Sequence, residues 1–181
     1  MKFATVDGST AIRSEPRAFV AAFARRVSIG LIPRAAPARN RYAVTREGGD
    51  SLRFRAVGWW TAIAVGLNDV QLAAAPGRVR YGVRYPRWAT FVLALSDLLG
   101  MTLVVFFVLF DIREYVAAHP GGTVPGLSLD QNVALAWAMA LFWGFAWPWI
   151  VIAGHRRPLR RLIEGLIAQV DAAAAGEARR G

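Results

Sequence analysis

The spacing of apolar residues changes character along the chain. In residues 14–30, Phe19, Phe23 and Val27 recur every four positions, which is the period of a helix that buries one face. Ser14 is placed to cap that helix, Pro16 suits its first turn, and Gly30 stops it. After a Pro/Ala/Arg connector at 33–40, the period drops to two. Val79, Tyr81, Val83 and Tyr85 alternate with Arg78, Arg80, Gly82 and Arg84, and Leu52 and Phe54 alternate with Arg53 and Arg55. Strands are expected at 41–47, 51–57, 60–66, 69–74 and 78–85, separated by Gly-Gly, Gly, Asn and Pro-Gly turn signals. The expected product is a small antiparallel sheet with its apolar face covered by the N-terminal helix and its other face studded with arginine.

Two long runs then lose all polar periodicity. Residues 88–110 (WATFVLALSDLLGMTLVVFFVLF) and 133–154 (VALAWAMALFWGFAWPWIVIAG) are almost wholly apolar. The first would reach roughly 34 Å as a helix, enough for a hydrocarbon core of about 30 Å. A chain of 181 residues has too little other material to bury two such helices inside a soluble core. They are expected to form a transmembrane hairpin joined by a turn-rich loop at 111–132. Pro148 is expected to kink the second span. Helical periodicity returns after Pro158, where Leu159, Leu162, Ile163, Leu166, Ile167 and Val170 form an apolar stripe. The closing AAAAGEARRG reads as a frayed tail.

The fold class is thus an α+β membrane protein in three parts. Residues 1–87 form a basic helix-plus-sheet domain, 88–154 the hairpin, and 155–181 an amphipathic helix and tail. Composition agrees, with 55% hydrophobic residues, 19% charged residues and a mean hydropathy of +0.34. Residues 1–18 lack the continuous apolar core of a secretory signal.

Charge adds an orientation. The formal net charge is +10, and Lys2 is the only lysine. Arg78, Arg80, Arg84 and Arg87 precede the first span, while Arg156, Arg157, Arg160 and Arg161 follow the second. The connecting loop holds Arg113 against Asp111, Glu114 and Asp130. The positive-inside bias therefore predicts both termini in the cytoplasm, with Trp88, Trp147 and Trp149 in an interfacial aromatic belt. Arginine-rich, alanine-rich and lysine-poor usage points to a GC-rich bacterial genome, and the expected location is the bacterial inner membrane.

Few residues suggest chemistry. The chain has no cysteine and only His119 and His155 as imidazoles, so thiolate sites and a histidine-rich metal site are not expected. No GxSxG, P-loop, HExxH or dinucleotide fingerprint occurs. Glu47 and Asp50 flank a Gly-Gly hairpin and are expected to be solvated. Neither an enzymatic activity nor a cofactor is expected. Asp97 stands out because it lies about 14 Å into the first span, where an ionised, unpaired carboxyl costs several kcal/mol. It is expected to face protein or water, or to be protonated and hydrogen-bonded to a neighbouring helix, and the second span offers no basic partner. Ser96 with Gly100, and Ala136 with Ala140 and Gly144, form small-residue stripes that permit close helix packing. Arg53, Arg55, Arg78, Arg80, Arg84, Arg156, Arg157, Arg160 and Arg161 are candidates for binding anionic lipid headgroups or an acidic partner. Nucleic acid is not an expected partner, because Tyr81 and Tyr85 fall on the apolar face.

The expected function is a non-catalytic accessory or scaffold subunit of a larger membrane complex, bound to other subunits or to copies of itself. The alternatives are a homo-oligomeric channel or transporter component using Asp97, and an anionic-lipid sensor whose tail helix lies in the interface.

Overall fold

Alternation becomes a five-stranded antiparallel sheet of order β1-β5-β4-β3-β2. The strands are β1 (Thr5–Ala11), β2 (Tyr42–Glu47), β3 (Ser51–Ala56), β4 (Asp69–Ala75) and β5 (Arg78–Arg84). The computed structural model describes residues 4–32, 36 and 40–178, without the side chains of Arg46, Glu47 and Ala178. Most of the expected connector at 33–40, the Glu47 carboxylate and the last three residues of the tail lie outside the described residues. The chain divides into two compact units, Met1–Thr90 with Ala153–Gly181, and Phe91–Ile152.

In the first unit, one face of the sheet is dry. Leu52, Phe54, Val70, Leu72, Val79, Tyr81 and Val83 are buried there, as their period of two requires. Two helices cover that face. Helix α1 (Pro16–Ile29) supplies Phe19, Phe23 and Val27, and the Phe23 ring stacks on Phe54 at 5.9 Å. Glu15 caps α1 in place of Ser14, its carboxylate accepting from the Ala18 amide at 3.0 Å. Ser14 is occupied elsewhere, as described below.

Three expectations for this unit need correction. Residues 60–66 are not a strand, because Trp59–Val65 is a short helix, α2, bracketed by Gly58 and Gly66 at positive φ. The adjacent pair Thr61 and Ala62 are both buried and the Trp pair before them is exposed, a helical rather than a two-residue pattern. A fifth strand comes instead from β1, which pairs with β5 from Thr5↔Arg84 to Ala11↔Arg78. The tail is also ordered further than expected.

Helix α2 precedes the long helix α3 (Pro86–Leu109), and after several shorter helical segments the described chain closes on another long helix. That final helix, which follows the apolar segments, spans Arg156–Ala178 and includes most of the alanine run; alanine is the strongest helix former. Its stripe of Leu159, Ile163, Leu166, Ile167 and Val170 is buried against the sheet domain, packing on α1 and β1. Each fully buried Leu or Ile contributes about 1.5–3 kcal/mol. The stripe is therefore core, and the expectation of a tail helix lying in the membrane interface does not hold.

The second unit contains most of α3, whose 24 residues would extend roughly 36 Å. Helix α4 (Ile112–Ala118), a 3-10 turn at Pro120–Gly122 and helix α5 (Leu129–Leu141) follow. The connection is thus more structured than a turn-rich loop. Asp111 caps α4 at φ 41°, and a Ser128–Gln131 capping box opens α5 four residues earlier than the expected span. Asn132 accepts from the Val124 amide at 2.8 Å and donates to the Leu127 and Ser128 carbonyls, while Arg113 pairs with Asp130.

Helix α5 runs through a π turn (Phe142–Ala146) into helix α6 (Trp147–Gly154), and the final helix is α7. Pro148 has no N–H for the Gly144 carbonyl and its ring crowds that position. The widened turn absorbs this, with the Trp147 amide donating to Phe142. Helix α3 and the run from Leu129 are long and apolar enough to cross a membrane. Only 6% of the most apolar window of α3 is buried, unlike the core helix of a soluble domain.

Candidate functional site

The apolar unit carries one ionisable group far from either end of its helix. Asp97 lies near the middle of α3 and is exposed, on a strip with Ala94, Leu98 and Met101. Those positions follow i, i+3, i+4 and i+7 spacing and so share a face. Among the described residues, no hydrogen bond or ion pair engages the Asp97 carboxyl.

The small residues lie around a different contact. Gly100 and Gly144 are buried against one another, and a Cβ built on either would sit 2.6 Å from the other's Cα. Only glycine fits at that crossing. Ala140 is buried one turn away, while Ser96 and Ala136 are half-buried. Phe107 and Trp137 meet edge to face at 5.3 Å. Gly100 and Gly144 thus pack within the hairpin, and Asp97 falls outside that contact.

In the sheet unit, the face opposite the core carries Arg53, Arg55, Arg78, Arg80 and Arg84, all exposed. Gly82 and Ala73 leave a hollow of about 470 Å³ bordered by Asp7, Ser51, Arg53, Gln71 and Arg80. A second hollow of about 550 Å³ is lined by Arg53, Arg55, Arg84 and Arg87 with Asp69, Thr45 and Asn68. Arg53 forks onto Asp69 through Nε and Nη2, at 3.0 and 2.6 Å. Arg160 donates to the Asp7 carbonyl at 3.3 Å, and Arg156, Arg157 and Arg161 are exposed along α7.

Several organising residues carry weak sequence signals. Asn68, expected in a simple turn, is buried. Its Nδ2 donates to the Ala62 carbonyl at 2.7 Å, and its Oδ1 accepts from the amides of Arg87 and Trp88 at 2.7 and 3.3 Å. It thereby caps the first turn of α3 from the sheet. His155 stacks on Trp88 at 3.8 Å and its Nε2 meets the Val65 carbonyl at 3.0 Å. Burial lowers the His155 pKa, against an opposing pull from that carbonyl. Gly66 leaves room for it, since a Cβ there would lie 2.8 Å from Nε2.

Asp171 is buried and accepts from the Arg13 amide, the Ser14 amide and the Ser14 hydroxyl, the last at 2.6 Å. Burial alone would raise its pKa, but the Ser14 and Arg13 hydrogen bonds and the Arg13 charge hold it below the ordinary carboxylate value. Tyr81 donates to Glu164 at 2.5 Å, with its pKa pushed up to about 12 by burial and by that carboxylate. The signal for these pairs was only the presence of a polar residue on an apolar face, which cannot name the partner.

His119 stacks on Tyr115 at 4.4 Å and its Nδ1 meets the Tyr115 carbonyl at 2.9 Å; Asp50 is exposed. No protein-family model matches the chain, no curated protein matches its sequence, and no solved structure matches its fold.

Proposed function

We propose that this protein is a non-catalytic accessory or scaffold subunit of a larger membrane complex, inserted as a two-pass helical hairpin in a bacterial inner membrane. The observation that carries the reading is Asp97, an exposed carboxyl midway along an apolar helix with no partner among the described residues. Such a group in hydrocarbon calls for a basic or polar partner. Since the second apolar segment has no basic residue, the partner is assigned to another chain. The arginines before the first span and after the second orient both termini to the cytoplasm, with the sheet domain on that side.

The small-residue contact supports the same division of labour. Gly100 and Gly144 are spent on the hairpin itself, which leaves the Asp97 strip of α3 as the face offered outward. Two spans are also too few to enclose a transport path alone.

The test is extraction of the tagged protein in mild detergent followed by native mass spectrometry. The expected result is a stoichiometric foreign subunit that is lost in Asp97→Asn while the variant remains folded. A clean homo-oligomer whose ion flux, but not assembly, depends on Asp97 would replace this reading with a channel or transporter component.

A further inference from the structure

From the geometry of the sheet's open face, we infer that the hollow over Asp69 is a binding site for a phosphate-bearing ligand, formed by Arg55, Arg84 and Arg87. Register puts the first two there. Asp69 pairs with Arg84 on one side and with Arg55 on the other, so two guanidinium groups flank it from adjacent strands, with Cβ spacings of about 5 Å. Arg87 arrives from the second residue of α3, its backbone fixed by the Asn68 side chain.

Charge then decides what the hollow accepts. Its lining holds four arginines against one carboxylate. That carboxylate is already engaged on both oxygens by Arg53. Among the described residues, no carboxylate pairs with Arg55, Arg84 or Arg87. The guanidinium groups of Arg55, Arg84 and Arg87 border an open volume of about 550 Å³, the last with one long Nη1 contact to the Ala56 carbonyl at 3.5 Å. They match the several oxygens of a phosphate group, which guanidinium binds bidentately. The neighbouring hollow over Gly82 is a poorer anion site, because Asp7 stands at its rim beside two arginines. The inference is independent of the subunit role proposed above, and it assigns the site to one cluster rather than to the basic face as a whole.

The ligand's phosphate could be a lipid headgroup or a free anion, and two probes distinguish them. The full-length protein in neutral detergent is titrated with inorganic pyrophosphate by calorimetry. Separately, it is offered equal amounts of phosphatidylglycerol and phosphatidylcholine and read by native mass spectrometry. Binding of pyrophosphate alone assigns a soluble ligand, and preferential retention of phosphatidylglycerol assigns a lipid; either supports the site.

The variant Arg55→Gln/Arg84→Gln/Arg87→Gln is expected to weaken the observed binding by at least roughly tenfold. Arg78→Gln/Arg80→Gln, which removes two charges from the same face outside the hollow, is expected to leave it within about twofold. Asp69→Asn removes the competing carboxylate and frees Arg53, so it is expected to tighten binding, a gain that misfolding cannot mimic. Equal loss in the two arginine variants, no gain in Asp69→Asn, or no binding of either probe to the wild type overturns the inference.

Discussion

Asp171 shows how much of the sheet domain depends on single polar groups. It joins the C-terminal helix to the link between β1 and α1 through the Arg13 and Ser14 amides and the Ser14 hydroxyl. Asp171→Ala removes the acceptor of these part-buried donors and is expected to cost about 1 kcal/mol or somewhat more. Because its folded-state pKa is lowered, its contribution is present above the unfolded carboxylate value and disappears as pH falls through the folded one. Thermal unfolding followed between neutral pH and pH 3 should therefore show a steeper loss of stability for the wild type than for Asp171→Asn. Parallel curves would mean that the carboxylate is not stabilised in the folded domain. Tyr81 and Glu164 make a similar tie between β5 and α7. Gly8 makes room for it, as a Cβ at that position would overlap the Tyr81 hydroxyl.

Among elements, the α3 crossing with the π turn is the most constrained packing feature of the hairpin. Gly144→Leu places a side chain where the Gly100 backbone lies, so the helices must part. Amide hydrogen exchange around Gly100 is expected to rise by about tenfold or more, and unchanged exchange would mean that the two helices do not meet there. The small-residue spacing made this contact legible in sequence, although it did not say which of five candidate residues would touch. Strands β3 and β5 were legible for a comparable reason, since arginine alternates with large apolar residues in both. By contrast, β1 (TVDGSTA) buries only Val6 within its span, and a strand that gives one apolar residue to the core leaves no pattern. Residues 60–66 mislead in the opposite way. Their aromatic and β-branched content favours a strand, but the glycines at 58 and 66 admit the positive φ angles that bound a helix. Ala172 to Ala175 open the stretch expected to fray, yet helix propensity and the Asp171 tether upstream suffice to order them.

At the scale of the whole molecule, the two apolar segments and the basic residues flanking them were plain in the sequence. What pattern could not supply is which polar groups find partners inside the chain. Asn68, His155 and Asp171 do, through contacts between residues far apart in sequence. Asp97 has none among the described residues, and the proposed role follows from that difference. Large apolar side chains around it, including Leu98 at 66% and Met101 at 52% exposure, are consistent with a lipid-facing or partner-facing helix. The most direct measurement is site-specific photocrosslinking in intact membranes, with the reactive side chain placed at Ala94 or Met101, on the Asp97 strip. A discrete adduct with a second, different polypeptide, absent when the same side chain replaces Ala138 (exposed on the other apolar segment), is the predicted result. Adducts with lipid alone, or with this chain alone, would contradict an accessory role.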